Sequence, residues 1–386
     1  MRIGIDARLW NETGVGRYIR ALFRYLPHDQ EFVWFLNSPT FETLEMPKNW
    51  KKIKCNVRWH TFKEQLIMPF FFYKERLDLL HIPYVNFPLF YFGKTVATIH
   101  DLIPDHYRTG KVTTLPWWFF NIKNIAYHFL IWVATRRTLK IFTLSNDAKN
   151  EIVDHYKVNP EKIVVTHDSG KLEDTSKKIG SAHTKKPYIL YVGNAHPHKN
   201  VESLIKAIEI INANRHSGSP ATAGLIESAK KDAIATLQHD EELKLVLVGS
   251  DKFFYPRLPK SKYVEVIGEV PNNKIADWYR HAQALVTASK MEGFGIPPLE
   301  AMSVGCPAIV SDIPVFHEVY GDAAVYFNHL DPQNIAEVIK KTLANKRLLK
   351  EMVELGYKQA AKYSWKKCVQ ETHKIYESSL GLRSGK

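Results

Sequence analysis

A chain of 386 residues is long enough for two domains of ordinary size, and 45% hydrophobic with 24% charged residues supplies real cores and argues against disorder. The formal net charge of +13 favours anionic partners such as nucleotide or lipid phosphates, while the lack of a Lys/Arg block interleaved with aromatics argues against nucleic acid. Three scattered cysteines, Cys55, Cys306 and Cys368, give neither a disulfide framework nor metal-ligand spacing, and a reducing cytoplasm is the expected setting.

The chain opens Met1-Arg-Ile-Gly-Ile-Asp6, a strand rather than a signal-peptide layout. Thr13-Gly-Val-Gly-Arg17 follows, and a helix is expected to open at Tyr18. Strand, glycine loop and helix make an anion-binding unit, with Gly14 and Gly16 at the turn, although no third glycine completes a dinucleotide fingerprint. Phe32–Leu36, Leu79–Ile82 and Thr95–Ile99 read as strands, and Gln65–Tyr73 as a helix with one broad apolar face. Alternating strands and helices predict a parallel sheet covered on both faces. The strand Thr95–Ile99 runs into His100-Asp-Leu-Ile-Pro104, which puts a histidine at a strand's carboxyl end, where doubly wound sheets bind ligands. His100 is thus a candidate site residue, with Asp101 as an orienter or a cap.

Residues 115–137 are rich in Trp, Phe and Ile but also hold Asn121, Lys123, Asn124 and His128, so they do not read as a membrane-spanning helix. Two readings stand: a core-facing helix, or an amphipathic segment seated in lipid headgroups. Lys140–Leu144 and Lys162–Thr166 read as strands, with Ser145 or Asn146 capping the helix between them. The polar stretch 171–186 reads as a linker between domain 1–170 and domain 187–364.

In the second half, the strand Tyr188–Val192 leads into Gly193-Asn-Ala-His-Pro-His-Lys-Asn200 and a helix from Val201. Lys199 can reach a phosphate there as a point charge. Residues 212–242 read as an inserted stretch, loop-like from Asn212 to Gly224, with no functional reading. Strands at Leu243–Gly249 and Val264–Gly268 and a helix at Ile275–Ala282 precede the richest segment, Thr287 to Gly305. Here a short buried strand enters a loop with Gly293 and Gly295, and Pro297 and Pro298 open a helix. Backbone N–H groups at such a turn favour phosphate, whereas Glu292 and Glu300 on either side suit the neutral hydroxyls of a sugar and a ribose. The pattern fits a nucleotide-sugar.

Glu292 and Glu300, with seven residues between them that include Gly-Phe-Gly, together with Ala301-Met302, Gly305-Cys-Pro307, Ser311-Asp312, His317-Glu-Val319 and His100-Asp-Leu-Ile-Pro104, resemble the signature of the retaining GT-B glycosyltransferases, family 4 (glycosyl transferases group 1), and more narrowly its polysaccharide mannosyltransferases. The resemblance covers nearly the whole chain outside residues 212–242. It implies two doubly wound, Rossmann-like α/β domains facing across a cleft, with the final helix (365–386) returning to the first domain. It implies donor contacts from Gly14, Gly16, Gly193, His198, Gly293, Phe294, Gly295, Ile296 and Glu300, with His100, Glu292 and Lys199 closest to the chemistry. Many members carry an arginine where this chain has Asn194 or His198, so one cation of the usual cluster is missing.

The implied activity is retaining transfer of a hexose, mannose from GDP-mannose in the first instance, to a glycan or lipid-linked glycan acceptor of a surface polysaccharide. A UDP-sugar enzyme of the same fold and a non-catalytic nucleotide-sugar or glycan-binding protein are the alternatives. No Asp-x-Asp pair occurs in the sequence, so neither a metal nor another cofactor is expected at the diphosphate. The expected location is cytoplasmic, peripheral on the membrane's inner face through residues 115–137.

Overall fold

The computed structural model describes residues 1–106, 117–172, 187–216, 242–271 and 273–381. It divides into two compact units, Met1–Asp168 with Ser364–Lys386, and Ser169–Tyr363.

In the first unit, β1 (Arg2–Asp6), β2 (Glu31–Leu36), β3 (Trp50–Lys54), β4 (Leu79–Ile82), β5 (Thr95–Thr98), β6 (Lys140–Thr143) and β7 (Ile163–Val165) form one parallel sheet in the order β3-β2-β1-β4-β5-β6-β7. The chain winds outward from β1, then returns to β4 and winds the other way, so the carboxyl ends of β1 and β4 flank a topological switch point. The helices are α1 (Thr13–Tyr25), α2 (Ser38–Thr43), α3 (Phe62–Lys74), α4 (Ile103–His106), α5 (Trp117–Arg137) and α6 (Asn146–Tyr156).

Strand β2 shows why the sheet needs helices on both faces. Phe32, Trp34 and Leu36 share one core with Tyr18 and Leu22 of α1 and with Val369 and Tyr376 of the final helix, Trp365–Ser379. Val33 and Phe35 point the other way, against Met68 and Phe72 of α3. A strand buried on both faces is an unbroken apolar run, which is why it reads so plainly.

Two features depart from the sequence reading. Helix α1 begins at Thr13, so Gly14 and Gly16 lie in its first turn rather than in a loop ahead of Tyr18. The edge strand β3 has the sequence WKKIK, too polar to stand out.

In the second unit, β8 (Tyr188–Val192), β9 (Lys244–Val248), β10 (Val264–Gly268), β11 (Leu285–Thr287), β12 (Ala308–Ser311) and β13 (Ala324–Phe327) form a parallel sheet in the order β10-β9-β8-β11-β12-β13. Its switch point lies between β8 and β11. The helices are α7 (Val201–His216), α8 (Ile275–His281), α9 (Ile296–Ser303), α10 (Pro314–Tyr320), α11 (Pro332–Ala344) and α12 (Lys346–Ala361).

Helix α7 runs on through Asn212, which corrects the loop expected to begin there. Asn212 is fully buried, donates to the Ile208 and Leu243 carbonyls, and accepts the Leu243 N–H at 3.0 Å. Its amide therefore stitches the helix to the start of β9. The rest of the expected insertion, 217–241, lies outside the described residues, as do 173–186 of the expected linker. Residues 169–172 pack on the second unit: Ser169 donates to the Tyr363 carbonyl at 3.0 Å, and Gly170 lies against Leu299 and Glu300 so closely that a Cβ would collide.

Candidate functional site

At the second unit's switch point, the loop after β8 carries Gly193 to Asn200 and the loop after β11 carries Ser289 to Gly295. The sheet order makes β8 and β11 neighbours, so the two loops meet. The Lys199 ammonium lies 2.6 Å and 2.7 Å from the two carboxylate oxygens of Glu292. Ser289 donates to Glu292 Oε1 at 2.7 Å, and the Lys290 N–H donates to the His198 carbonyl at 2.7 Å. Burial works to raise the Glu292 pKa, but the charge of Lys199 and the hydrogen bonds donated by Lys199 and Ser289 hold it below the usual carboxylate range. Glu292 is thus a carboxylate at neutral pH.

Backbone geometry fixes this arrangement. Gly193 has φ +152°, and the Gly249 backbone approaches its carbonyl so closely that a Cβ at 249 would overlap it. Asp251 accepts the Ala195 N–H at 2.9 Å and also binds N–H groups of residues 253–255, clamping the first loop to the one after β9. Lys199 ends a short turn that Asn200 closes in the left-handed region, with its side chain bonded to the His329 carbonyl at 2.8 Å.

His198 does not replace the cation missing from the resembled cluster. Burial, reinforced by the neighbouring Lys199, lowers it to about 3, so it is a neutral imidazole.

Gly295 caps α9 with φ +86°, its carbonyl accepting from Tyr320 at 2.5 Å. The next three residues are Ile296, Pro297 and Pro298, and prolines have no N–H. The helix therefore presents one first-turn amide, that of Ile296, where the sequence reading expected several. Phe294 is buried and packs edge-on against Tyr363 at 5.4 Å, so its ring belongs to the core. Glu300, buried on α9, accepts from Tyr279 of α8 at 2.7 Å.

The first unit holds the other candidates. His100 follows β5; its Nε2 lies 3.0 Å from the Pro83 carbonyl and its ring stands edge-on to Tyr18. A carbonyl only accepts, so Nε2 carries the hydrogen. Burial lowers the imidazole to about 4, against the pull of that bond, so the ring is neutral and Nδ1 keeps its lone pair. His100 can therefore accept a hydrogen bond at Nδ1, where the sequence reading allowed a charge switch or a donor. Asp101 accepts the Ile103 N–H at 3.0 Å and caps α4. The Gly16 N–H is already bonded to the Glu12 carbonyl at 3.0 Å, and a Cβ on Gly16 would strike the Trp10 carbonyl. Gly14 is exposed, with open space around it.

Two clusters went unnoticed in the sequence. Behind the first switch point, Arg8 bonds Asp6 at 2.6 Å and Glu64 at 2.5 Å, and Asn86 bonds both acids, all four buried. Only an acid at the end of β1 hinted at it.

Asp105, His128 and His155 place one ligand atom each within 4.8 Å of one another, the one such group among the described residues that could hold a metal ion. Tyr156 bridges two of them, donating to Asp105 at 3.0 Å and lying 3.2 Å from His128, which makes the group a polar lock joining α5 to α4 and α6. Over it opens a concavity of about 500 Å³, lined by Ile125, Phe129 and Trp132 besides the two histidines and Tyr156.

Comparison with known proteins follows the same division. Residues 173–359 match the family described as Glycosyl transferases group 1, and residues 13–168 match Glycosyltransferase Family 4. The chain belongs to the glycosyl transferases group 1 family. It is 35% identical over 246 residues to the O-antigen chain mannosyltransferase RfbU of Salmonella typhimurium, a match covering 63% of this chain and 59% of that protein's length. Among solved structures it superposes on a sucrose-phosphate synthase of Thermosynechococcus elongatus with a TM-score of 0.72 at 15% identity, covering 98% and 99% of the two chains. It also superposes on Anabaena HepE in complex with UDP and glucose with a TM-score of 0.70 at 15% identity, covering 98% and 100%. The fold is that of the GT-B glycosyltransferases.

Proposed function

We propose that this chain is a retaining, metal-independent glycosyltransferase that moves a hexose, mannose from GDP-mannose in the first instance, onto a glycan or lipid-linked glycan acceptor in surface polysaccharide synthesis. The observation that carries the reading is the Lys199–Glu292 salt bridge at the β8/β11 switch point, the place where doubly wound sheets bind nucleotides. The relative named as an O-antigen mannosyltransferase supports the sugar and the kind of product. A UDP-sugar is the second donor reading, supported by the UDP in the HepE complex.

In this reading Lys199 turns from Glu292 to the donor diphosphate, and backbone N–H groups of Gly293, Gly295 and Ile296 add neutral donors. Glu292, kept ionised, accepts from hydroxyls of the sugar, while Glu300, already holding Tyr279, takes the ribose. Of the first unit's candidates, Gly14 and Gly16 are kept as donor contacts on the family resemblance alone, and Nδ1 of His100 is able to accept a hydrogen bond from a hydroxyl. The acceptor oxygen attacks the anomeric carbon on the face the diphosphate leaves. The carbon–oxygen bond to phosphate breaks, the acceptor proton passes to the leaving phosphate oxygen, and a nucleoside diphosphate departs. The protein contributes positioning and stabilisation of developing negative charge, for which one strong donor is worth about 100–1,000-fold in rate.

A membrane contact through residues 115–137 would bring a lipid-linked acceptor within reach. No helix among the described residues is long and apolar enough to cross a membrane. Helix α5 buries Ile131 and Ala134 and exposes Ile122, Ile125, Phe129 and Trp132, which suits a helix lying at an interface.

The test is a panel of nucleotide-sugars with EDTA present, scoring transfer and donor hydrolysis and reading the anomeric configuration of the product. GDP-mannose turnover without divalent cation, with retention, is the expected outcome. Indifference to every donor would favour a binding protein, and inversion would remove the same-face route.

A further inference from the structure

Helix α3 is apolar on two faces, and only one of them is core. Met68 and Phe72 are buried against the sheet. Phe62, Leu66, Phe70 and Tyr73, spaced four, four and three residues apart, form a stripe on the opposite side, with Phe62 78% and Phe70 66% exposed. The stripe continues onto the loop before β5. Tyr73 accepts the Phe92 N–H at 2.8 Å, and Phe92 is 75% exposed. Arg137, at the end of α5, stacks over Phe92 at 4.5 Å and donates to the Leu89 and Tyr91 carbonyls, so the outer faces of α3 and α5 meet at this loop. Soluble monomers rarely leave so many large apolar side chains in contact with water without a partner for them.

The charges indicate which partner. Lys63, Lys74, Arg76 and Lys94 are exposed beside the stripe. Both acids of the segment turn inward: Glu64 is buried against Arg8, and Glu75 is buried between Arg2 and Lys51. Asp78, beyond the helix, accepts the Arg2 N–H at 2.7 Å. An apolar stripe edged by cations suits an anionic lipid surface. A second copy of the same face would oppose like charges across a two-fold axis.

We propose that the outer face of α3, with Phe92, is a surface on which the chain seats itself in an anionic bilayer, α3 lying in the plane of the headgroups with Phe62, Leu66 and Phe70 inserted. This deepens the membrane contact proposed for residues 115–137 and rests on it only in assigning a bilayer as partner; its test reads lipid binding, not sugar transfer.

The experiment is co-sedimentation of the full chain with phosphatidylcholine vesicles, with and without about 30% phosphatidylglycerol, chosen to mimic an anionic leaflet. The wild type should pellet with the anionic vesicles and be released by raised salt. The double variant F62S/F70S should lose at least about tenfold in partitioning, because two inserted rings are removed. K63E/K74E should lose about fivefold or more per lysine on anionic vesicles alone. Both variants change exposed positions, and each should keep the wild-type melting temperature and nucleotide affinity. F62S/F70S binding as well as the wild type, no wild-type binding to anionic vesicles, or a concentration-dependent dimer abolished by F62S/F70S would each overturn the inference. Lipid binding lost with nucleotide binding intact leaves the donor site standing, so the two readings fail separately.

Discussion

Lys199 and Glu292 neutralise each other, with side chains 20% and 13% exposed. Removing one leaves the other partly buried without its counter-charge, so each substitution has a folding cost as well as a functional one. Glu292→Gln keeps the shape and removes the charge; hexose transfer should fall by about 100-fold or more, as expected when a preorganised polar group is lost. A melting curve measured alongside separates that loss from instability. The sign of the pH effect follows from the depressed Glu292 pKa: its pairing stabilises above the unfolded value of 4.5 and is lost only as pH falls through the lower folded value. Titrating donor affinity between pH 5 and 8 should therefore show no step from Glu292. Sequence supplied both residues as candidates but not their contact, because pairing depends on β8 and β11 being neighbours in a sheet whose order is not written locally. His198 was similarly open: its residue type allows a cation, and burial plus Lys199 decides for the neutral form.

At the level of elements, two helix starts that carry candidate glycines, one in each unit, behave oppositely. Gly295 needs its left-handed backbone, and a Cβ there would press on Tyr320 and Phe316. Gly295→Ala should cost about 1–3 kcal/mol, read as a lower urea midpoint. Gly14 lies in open space in the first turn of α1. Gly14→Ala should leave stability unchanged or raise it by up to about 1 kcal/mol, while the added methyl weakens donor binding where the backbone meets phosphate. Unaltered donor affinity in Gly14→Ala would remove Gly14 from the site. Legibility at this scale followed burial. Strands such as Phe32–Leu36 are apolar throughout and read directly. Strand β3 did not, because its lysines are matched by groups distant in sequence: Lys51 by Glu75, Lys52 by the Phe41 and Leu44 carbonyls, and Lys54 by Glu42. The start of α1 was misplaced because glycines usually signal a loop, whereas here the Trp10 carbonyl requires the small residue at position 16.

Over the whole molecule, both units are doubly wound parallel sheets, and that much was legible from alternating strands and helices together with the Glu292–Glu300 signature. Buried histidines were not. His81 is fully buried between Thr98 and Tyr376, and burial lowers it to about 3; His100 is lowered to about 4. Each binds its proton more readily in the unfolded chain, whose value is 6.5. Their contribution is therefore intact above pH 6.5 and declines as pH falls toward the folded values, by at most about 1.4 kcal/mol per pH unit for each histidine. Urea midpoints measured from pH 7.5 down to 4.5 should hold until the unfolded value of 6.5 is approached and then fall, and a flat profile throughout would contradict the neutral, buried assignment.

In the proposed complex, the donor's nucleoside diphosphate is held at the β8/β11 switch point by the Lys199 ammonium without a divalent cation. Calorimetric titration of GDP-mannose and of UDP-glucose into the wild type and Lys199→Ala, both in EDTA, tests it most directly. The account predicts saturable binding of one donor by the wild type and at least about tenfold weaker binding by a folded Lys199→Ala protein, as expected for loss of a charge-assisted contact. Equal affinity in the two proteins, or wild-type binding that appears only when Mg²⁺ is restored, would contradict it.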